Sequence, residues 1–109
     1  MRTLLLQKAL ELAPHTIENY LALCHWCEVQ GEYKKGIKIG QQLLKIAPSH
    51  STGNTYMGHF LLQLNYTKKA VVYLKKGYEQ TPKTSIAYEI GNTLHQLKNF
   101  EAAAVWFQK

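Results

Sequence analysis

The three prolines of this chain, Pro14, Pro48 and Pro82, are separated by one and the same interval of 34 residues. Proline fixes its own φ, lacks an N–H and disfavours helical geometry in the residue before it. Breaks at a constant interval divide the sequence into units of equal length, which is the mark of stacked repeats rather than of a single closed core. The residues between the prolines keep step. A shift of 34 places Leu23 on Met57, Cys24 on Gly58, Cys27 on Leu61, Gly36 on Ala70 and Ile39 on Tyr73. One residue is missing near Pro82, so a shift of 33 then places Met57 on Ile90, Gly58 on Gly91, Leu61 on Leu94, Ala70 on Ala103 and Leu74 on Phe107. The columns run apolar, small, mostly apolar, small and mostly large. Glycine inside a helix costs about 1 kcal/mol relative to alanine, so Gly58 and Gly91 at equivalent sites imply a packing need.

Each unit holds two amphipathic segments. First helices are expected at 17–30, 51–64 and 84–97, and second helices at 33–46, 67–80 and 100–109, after a further second helix at 2–13. That makes about seven helices in one array: a partial repeat at 1–16, repeats at 17–50 and 51–83, and a truncated repeat at 84–109. The small residues Cys24, Gly58 and Gly91 are expected to face Gly36, Ala70 and Ala103 within their hairpins. Gly40 leaves space where Leu74 and Phe107 put bulk in the other copies, and Trp26 or Phe60 is expected to fill it. Asn54 and Ala87 stand where Tyr20 supplies an aromatic ring.

A 34-residue unit of two helices closed by proline resembles the tetratricopeptide repeat. The third copy resembles it most, through Ile90-Gly91-Asn92 and Leu97-Lys98-Asn99-Phe100-Glu101-Ala102-Ala103. Leu12-Ala13-Pro14 and Ile46-Ala47-Pro48 are similar to the element that closes each repeat of that family. The resemblance implies an all-α fold, a right-handed superhelical solenoid of antiparallel helix pairs. It places first helices along a concave groove and second helices on the convex side. Neither end carries the polar face of a capping helix, which implies a piece of a longer array or self-association of copies through uncapped ends that bare Trp106 and Phe107.

Composition is that of a folded chain, with 46% hydrophobic and 18% charged residues, and no apolar run reaches the roughly 20 residues of a membrane span. No signal peptide is visible, and the two cysteines lie too close together to cross-link distant segments. A cytoplasmic location is the expectation.

The formal charge is +6, but its distribution matters more. The segments 17–30, 51–64 and 84–97 contain no Lys or Arg, and do contain Glu18, Glu28 and Glu89. Lysine falls on second helices and turns, at positions 34, 35, 38, 45, 68, 69, 75 and 76. If first helices line the groove, it is near neutral or slightly acidic. Some members of the family clamp acidic chaperone tails with Lys, Asn and Arg from first helices. The matching positions here are Leu21 and His25, Thr55 and His59, Tyr88 and Asn92, where only Asn92 is of the right type. That activity is not expected, because the charge-assisted donors are missing. Nucleic acid is not expected either, since the outer lysines lack accompanying aromatics or arginines and read as a solvated face.

The resemblance makes Leu21, His25, Thr55, His59, Gln63, Tyr88, Asn92 and His95 the candidate partner-binding residues. Glu18, Glu28, Val29, Thr52, Leu62, Ser85 and Gln96 lie beside them. Neutral donors and acceptors among apolar side chains suit a neutral to mildly basic peptide or helix of another protein. His contacts would weaken binding below a pH of roughly 6.5. Equivalent histidines one repeat apart are too widely spaced to chelate a metal directly, and no cofactor is expected. Cys24 and Cys27 form a Cys-x-x-Cys pattern, but their columns hold Gly58 and Leu61, so they read as core packing. There is no aspartate, no phosphate-binding glycine loop and no His-Glu-x-x-His spacing, and Glu18 and Glu28 lie about 15 Å apart along one helix. The expectation is a protein-interaction scaffold and not an enzyme. The alternatives are a regulatory or substrate-positioning region of a larger enzyme such as a glycosyltransferase, or a self-assembly module.

Overall fold

A computed structural model describes residues 16–109. The helices among them are α1 (Ile17–Gln30), α2 (Tyr33–Ile46), α3 (Ser51–Gln63), α4 (Thr67–Gln80), α5 (Thr84–Gln96) and α6 (Phe100–Phe107). The partial repeat at 1–16, with its helix at 2–13, lies outside the described residues except for Thr16. Successive helices pack as antiparallel pairs, α1 with α2, α3 with α4 and α5 with α6, and each second helix also packs on the next first helix. The result is elongated, 48 × 24 × 18 Å. Helices α3 and α5 end one residue short of the sequence expectation and α6 two short, at Phe107.

The turns explain the period. Within each hairpin one residue takes the left-handed conformation: Gly31 at φ 73°, Asn65 at 66° and Lys98 at 62°. These are repeat-equivalent positions. Glycine adopts this geometry freely and asparagine with little strain, whereas Lys98 is held there by the hairpin around it. Between hairpins, Ala47 and Thr81 leave helical geometry (φ −136° and −140°), as the residue before a proline is disposed to do, Pro48 and Pro82 following them. Thr16 caps α1 by accepting from the Asn19 N–H at 3.3 Å. Asn54, in the column where Tyr20 is aromatic, is fully buried and fastens the turn before α3. Its amide donates to the carbonyls of Pro48 (3.1 Å) and His50 (2.9 Å).

The core is built by large side chains seated on glycines; Gly58 does face Ala70, whose carbonyl would lie 3.4 Å from an ideal Cβ there, but Leu74 sits closer still. A Cβ on Gly58 would fall within 2.6 Å of the Leu74 side chain, and one on Gly91 within 2.5 Å of the Phe107 ring. Gly36 receives the Phe60 ring of the following repeat, at 2.6 Å from the same ideal position. Gly40 is filled by the Met57 thioether, not by Trp26 or Phe60. Methionine is unbranched and adaptable, which suits a gap left by a missing large residue. Two clusters result. Tyr20, Leu23, Ile39, Leu43 and Phe60 anchor the first, and Val71, Leu74, Ile86, Ile90 and Leu94 the second.

Cys24 and Cys27 are free and wholly buried in the first cluster, as their columns implied. Burial, with Cys27 and Glu28 nearby, pushes the Cys24 thiol up to about 12, and burial also raises Cys27. Neither has thiolate character at neutral pH, so both serve as small apolar packing groups.

Candidate groove site

Helices α1, α3 and α5 lie side by side, and His59 stands in the middle of the surface they form. Its Nε2 is 2.5 Å from Glu89 Oε2 on α5, and its Nδ1 is 3.5 Å from Glu28 Oε2 on α1. Two carboxylates two repeats apart thus converge on one imidazole from opposite sides. A neutral imidazole has one N–H and can serve one of them, whereas the imidazolium donates to both. The hydrogen bond to Glu89 is the main influence on His59 and raises its pKa above the ordinary 6.5; burial opposes this, and the charges of Glu89 and Glu28 add to it.

The pH consequence has a definite sign. A pKa raised on folding means stability that is fully present below the unfolded value of 6.5 and is lost as pH rises through the higher folded value. The thermal midpoint of the wild type is therefore expected to exceed that of His59→Gln most at pH 6 or so, with the gap closing as pH rises. A gap that does not change with pH would contradict this linkage.

Beside His59 a depression of about 430 Å³ opens, lined by Glu28, Tyr33, Gln63, Glu89, Asn92 and Gln96 among others. On the other side, Thr52, Thr55, Ser85 and Lys83 line a smaller one of about 180 Å³. The three helices are free of Lys and Arg, as the sequence shows, yet Lys83 at the N-cap of α5 brings one ammonium to the far end of this surface.

The candidates fall into three groups. His59, Gln63 and Asn92 line the main depression. Thr55 lines the smaller one and donates its hydroxyl to the Ser51 carbonyl at 2.9 Å. The remaining four are placed apart. Leu21 is half-buried against the first core cluster, and His25 is exposed with Nδ1 3.5 Å from the Tyr56 hydroxyl. Tyr88 and His95 turn toward α6, their rings 5.7 Å from Phe107 and 5.0 Å from Phe100.

Glu89 was not among the candidates, although its charge was visible, and with Glu28 it forms the pair of carboxylates that flanks His59. The pair comes from different helices instead of one. The outer face needs correction too, because its lysines do have aromatic company. Lys69 Nζ lies 5.8 Å from the Tyr66 ring centre and Lys76 Nζ 5.4 Å from that of Tyr73. Lys75 and Lys109 lie 5.8 and 5.1 Å from that of Trp106.

Comparison with known proteins agrees with this architecture. Residues 84–109 match the family described as tetratricopeptide repeat. No curated protein matches the chain in sequence. Among solved structures, MamA from Desulfovibrio magneticus RS-1 superposes with a TM-score of 0.89 at 15% identity, over 97% of this chain and 60% of its own. MamA of MSR-1 gives 0.84 at 19%, over 97% and 62%. YrrB, described as a TPR protein with an unusual peptide-binding site, gives 0.85 at 17%, over 94% and 54%. The chain spans about three fifths of the length of these structures. The fold is that of a tetratricopeptide-repeat solenoid, and the third repeat carries the family's sequence pattern.

Proposed function

We propose that the chain is a protein-interaction scaffold whose α1–α3–α5 groove takes an extended segment or helix of a partner, neutral to mildly basic, with a Lys or Arg side chain set between Glu28 and Glu89. One observation carries this reading: two carboxylates from separate repeats share a single titratable cation at the centre of an open depression. A partner's ammonium or guanidinium can replace the imidazolium there and satisfy both carboxylates. Gln63, Asn92 and Gln96 offer amides to the partner's backbone, and Leu62 offers apolar surface. YrrB, similar in fold, is itself described as having a peptide-binding site.

Protonated His59 competes with the incoming cation, so binding weakens as pH falls through the raised His59 value. The midpoint therefore lies above 6.5 and not at the ordinary imidazole value. No helix among the described residues is long and apolar enough to cross a membrane. The proposed role needs no catalysis and no cofactor.

Selection from a random peptide library against this chain tests the reading. Enriched sequences are expected to share a Lys or Arg among small and apolar residues. Their affinity is expected to fall about tenfold when Gln63 and Asn92 are both changed to alanine, the loss of one to two hydrogen bonds. Enrichment of acidic sequences, or affinities untouched by the double change, would remove the groove assignment.

A further inference from the structure

We propose that the convex groove between α2 and α4 binds single-stranded nucleic acid, with Lys38 and Lys45 on phosphates and the Tyr73 ring against a base. This is independent of the concave groove and rests on different helices. The two helices carry eight lysines and one glutamate, a net of +7, against +6 for the whole chain. The basicity of the protein is therefore concentrated on this face, and α2 contains no acidic residue at all.

Charge alone describes a solvated surface, but here it surrounds a concavity. A depression of about 520 Å³ is lined by Lys38, Gln41, Gln42, Leu44 and Lys45 of α2 and by Tyr73 of α4. No carboxylate lines it. Lys38 and Lys45 are two helical turns apart on one face, about 10 Å along the axis. Tyr73 is half-buried, with the Lys76 ammonium 5.4 Å from its ring centre. A positively charged groove with an aromatic side chain in it is the arrangement that holds single strands: ammonium groups follow the phosphates and the ring takes a base face. Gln41 and Gln42 add donors and acceptors for base or sugar edges.

An acidic protein segment would use the lysines but has no need of the ring. A flat anionic membrane would favour apolar side chains standing proud of the lysines, whereas this ring lies half-buried within a concavity. The charge and the ring together favour a single strand.

The test is fluorescence anisotropy of labelled oligo-dT and oligo-U of about 20 nucleotides with the whole chain, titrated at three salt concentrations between about 50 and 200 mM. The wild type is expected to bind both, with affinity falling steeply as salt rises. Lys38→Gln with Lys45→Gln is expected to lower affinity at least about tenfold and to flatten the log–log salt slope by about 1.4, which is about 0.7 for each of two phosphate contacts. Tyr73→Leu removes the ring and leaves a smaller apolar side chain; it is expected to cost about fivefold or more, with Tyr73→Phe near wild type. Lys98→Gln with Lys109→Gln removes the same charge elsewhere and is expected to leave affinity within about twofold. Absence of binding at the lowest salt would overturn the proposal. So would equal losses from the two lysine pairs, or indifference to Tyr73→Leu. Capture of the chain by phosphatidylserine vesicles that displace the oligonucleotide would overturn it in favour of a membrane surface.

Discussion

Phe60→Ala is expected to destabilise the array by about 3–5 kcal/mol, the usual range for emptying a buried phenylalanine site. Phe60 is completely buried, and its ring occupies the space left by Gly36 on the preceding repeat. Tyr56 stacks on it at 5.9 Å between ring centres and Tyr33 lies tilted at 6.3 Å. The residue therefore joins α3 to α2, across the boundary between repeats. In a solenoid that interface carries the cooperativity, because each repeat touches only its neighbours. With total stability of roughly 5–15 kcal/mol for a domain, such a loss is a large fraction of the whole. Urea unfolding measures it, and a loss below about 1 kcal/mol would mean the ring is not seated where described. Gly36 supplies the sign test. Gly36→Ala in the wild type drives a methyl into the ring and destabilises. In the Phe60→Ala background the same change is expected to stabilise by up to about 1 kcal/mol, because only the helix-propensity gain remains.

The fold was legible because its strongest determinants are local. A residue held out of helical geometry before each proline and a small-residue column recur every 33 or 34 residues, and each acts within a few residues. The pairing of those columns was harder to see. Gly58 meets Leu74 as well as Ala70, and how closely each approaches depends on how far one helix slides along the other, an offset that sequence spacing does not set. Gly40 was noticed as a gap, but its filler, Met57, comes from the next repeat and belongs to a different column.

The site was half legible for the same reason. Aligning repeats highlights equivalent residues, so His25, His59 and Asn92 stood out together. The array instead brings together Glu28, His59 and Glu89, which are not equivalent and match no common column. Superhelical stacking staggers neighbouring helices, and contacts then run diagonally across the repeat alignment. Tyr88 and His95 line neither depression, and their rings lie against Phe107 and Phe100 on α6. The outer tyrosines beside lysines were missed because they come into contact with them only one helical turn away or across the helix pair.

Reversing the groove's charge is expected to have the largest effect on binding. Glu28 and Glu89 have side chains 42% and 35% exposed, so lysines at both positions reach solvent without a core penalty. Like charges brought together at an interface cost several kcal/mol, which is at least about 100-fold in affinity for a partner that inserts a cation. The helical circular dichroism of Glu28→Lys with Glu89→Lys should match the wild type, confining the effect to the surface. The single most direct measurement is a parallel selection of one random peptide library on the two proteins. Enrichment of Lys or Arg by the wild type and of Asp or Glu by the reversed variant is the expected result. The same sequences emerging from both would contradict the claim that this pair of carboxylates defines the partner.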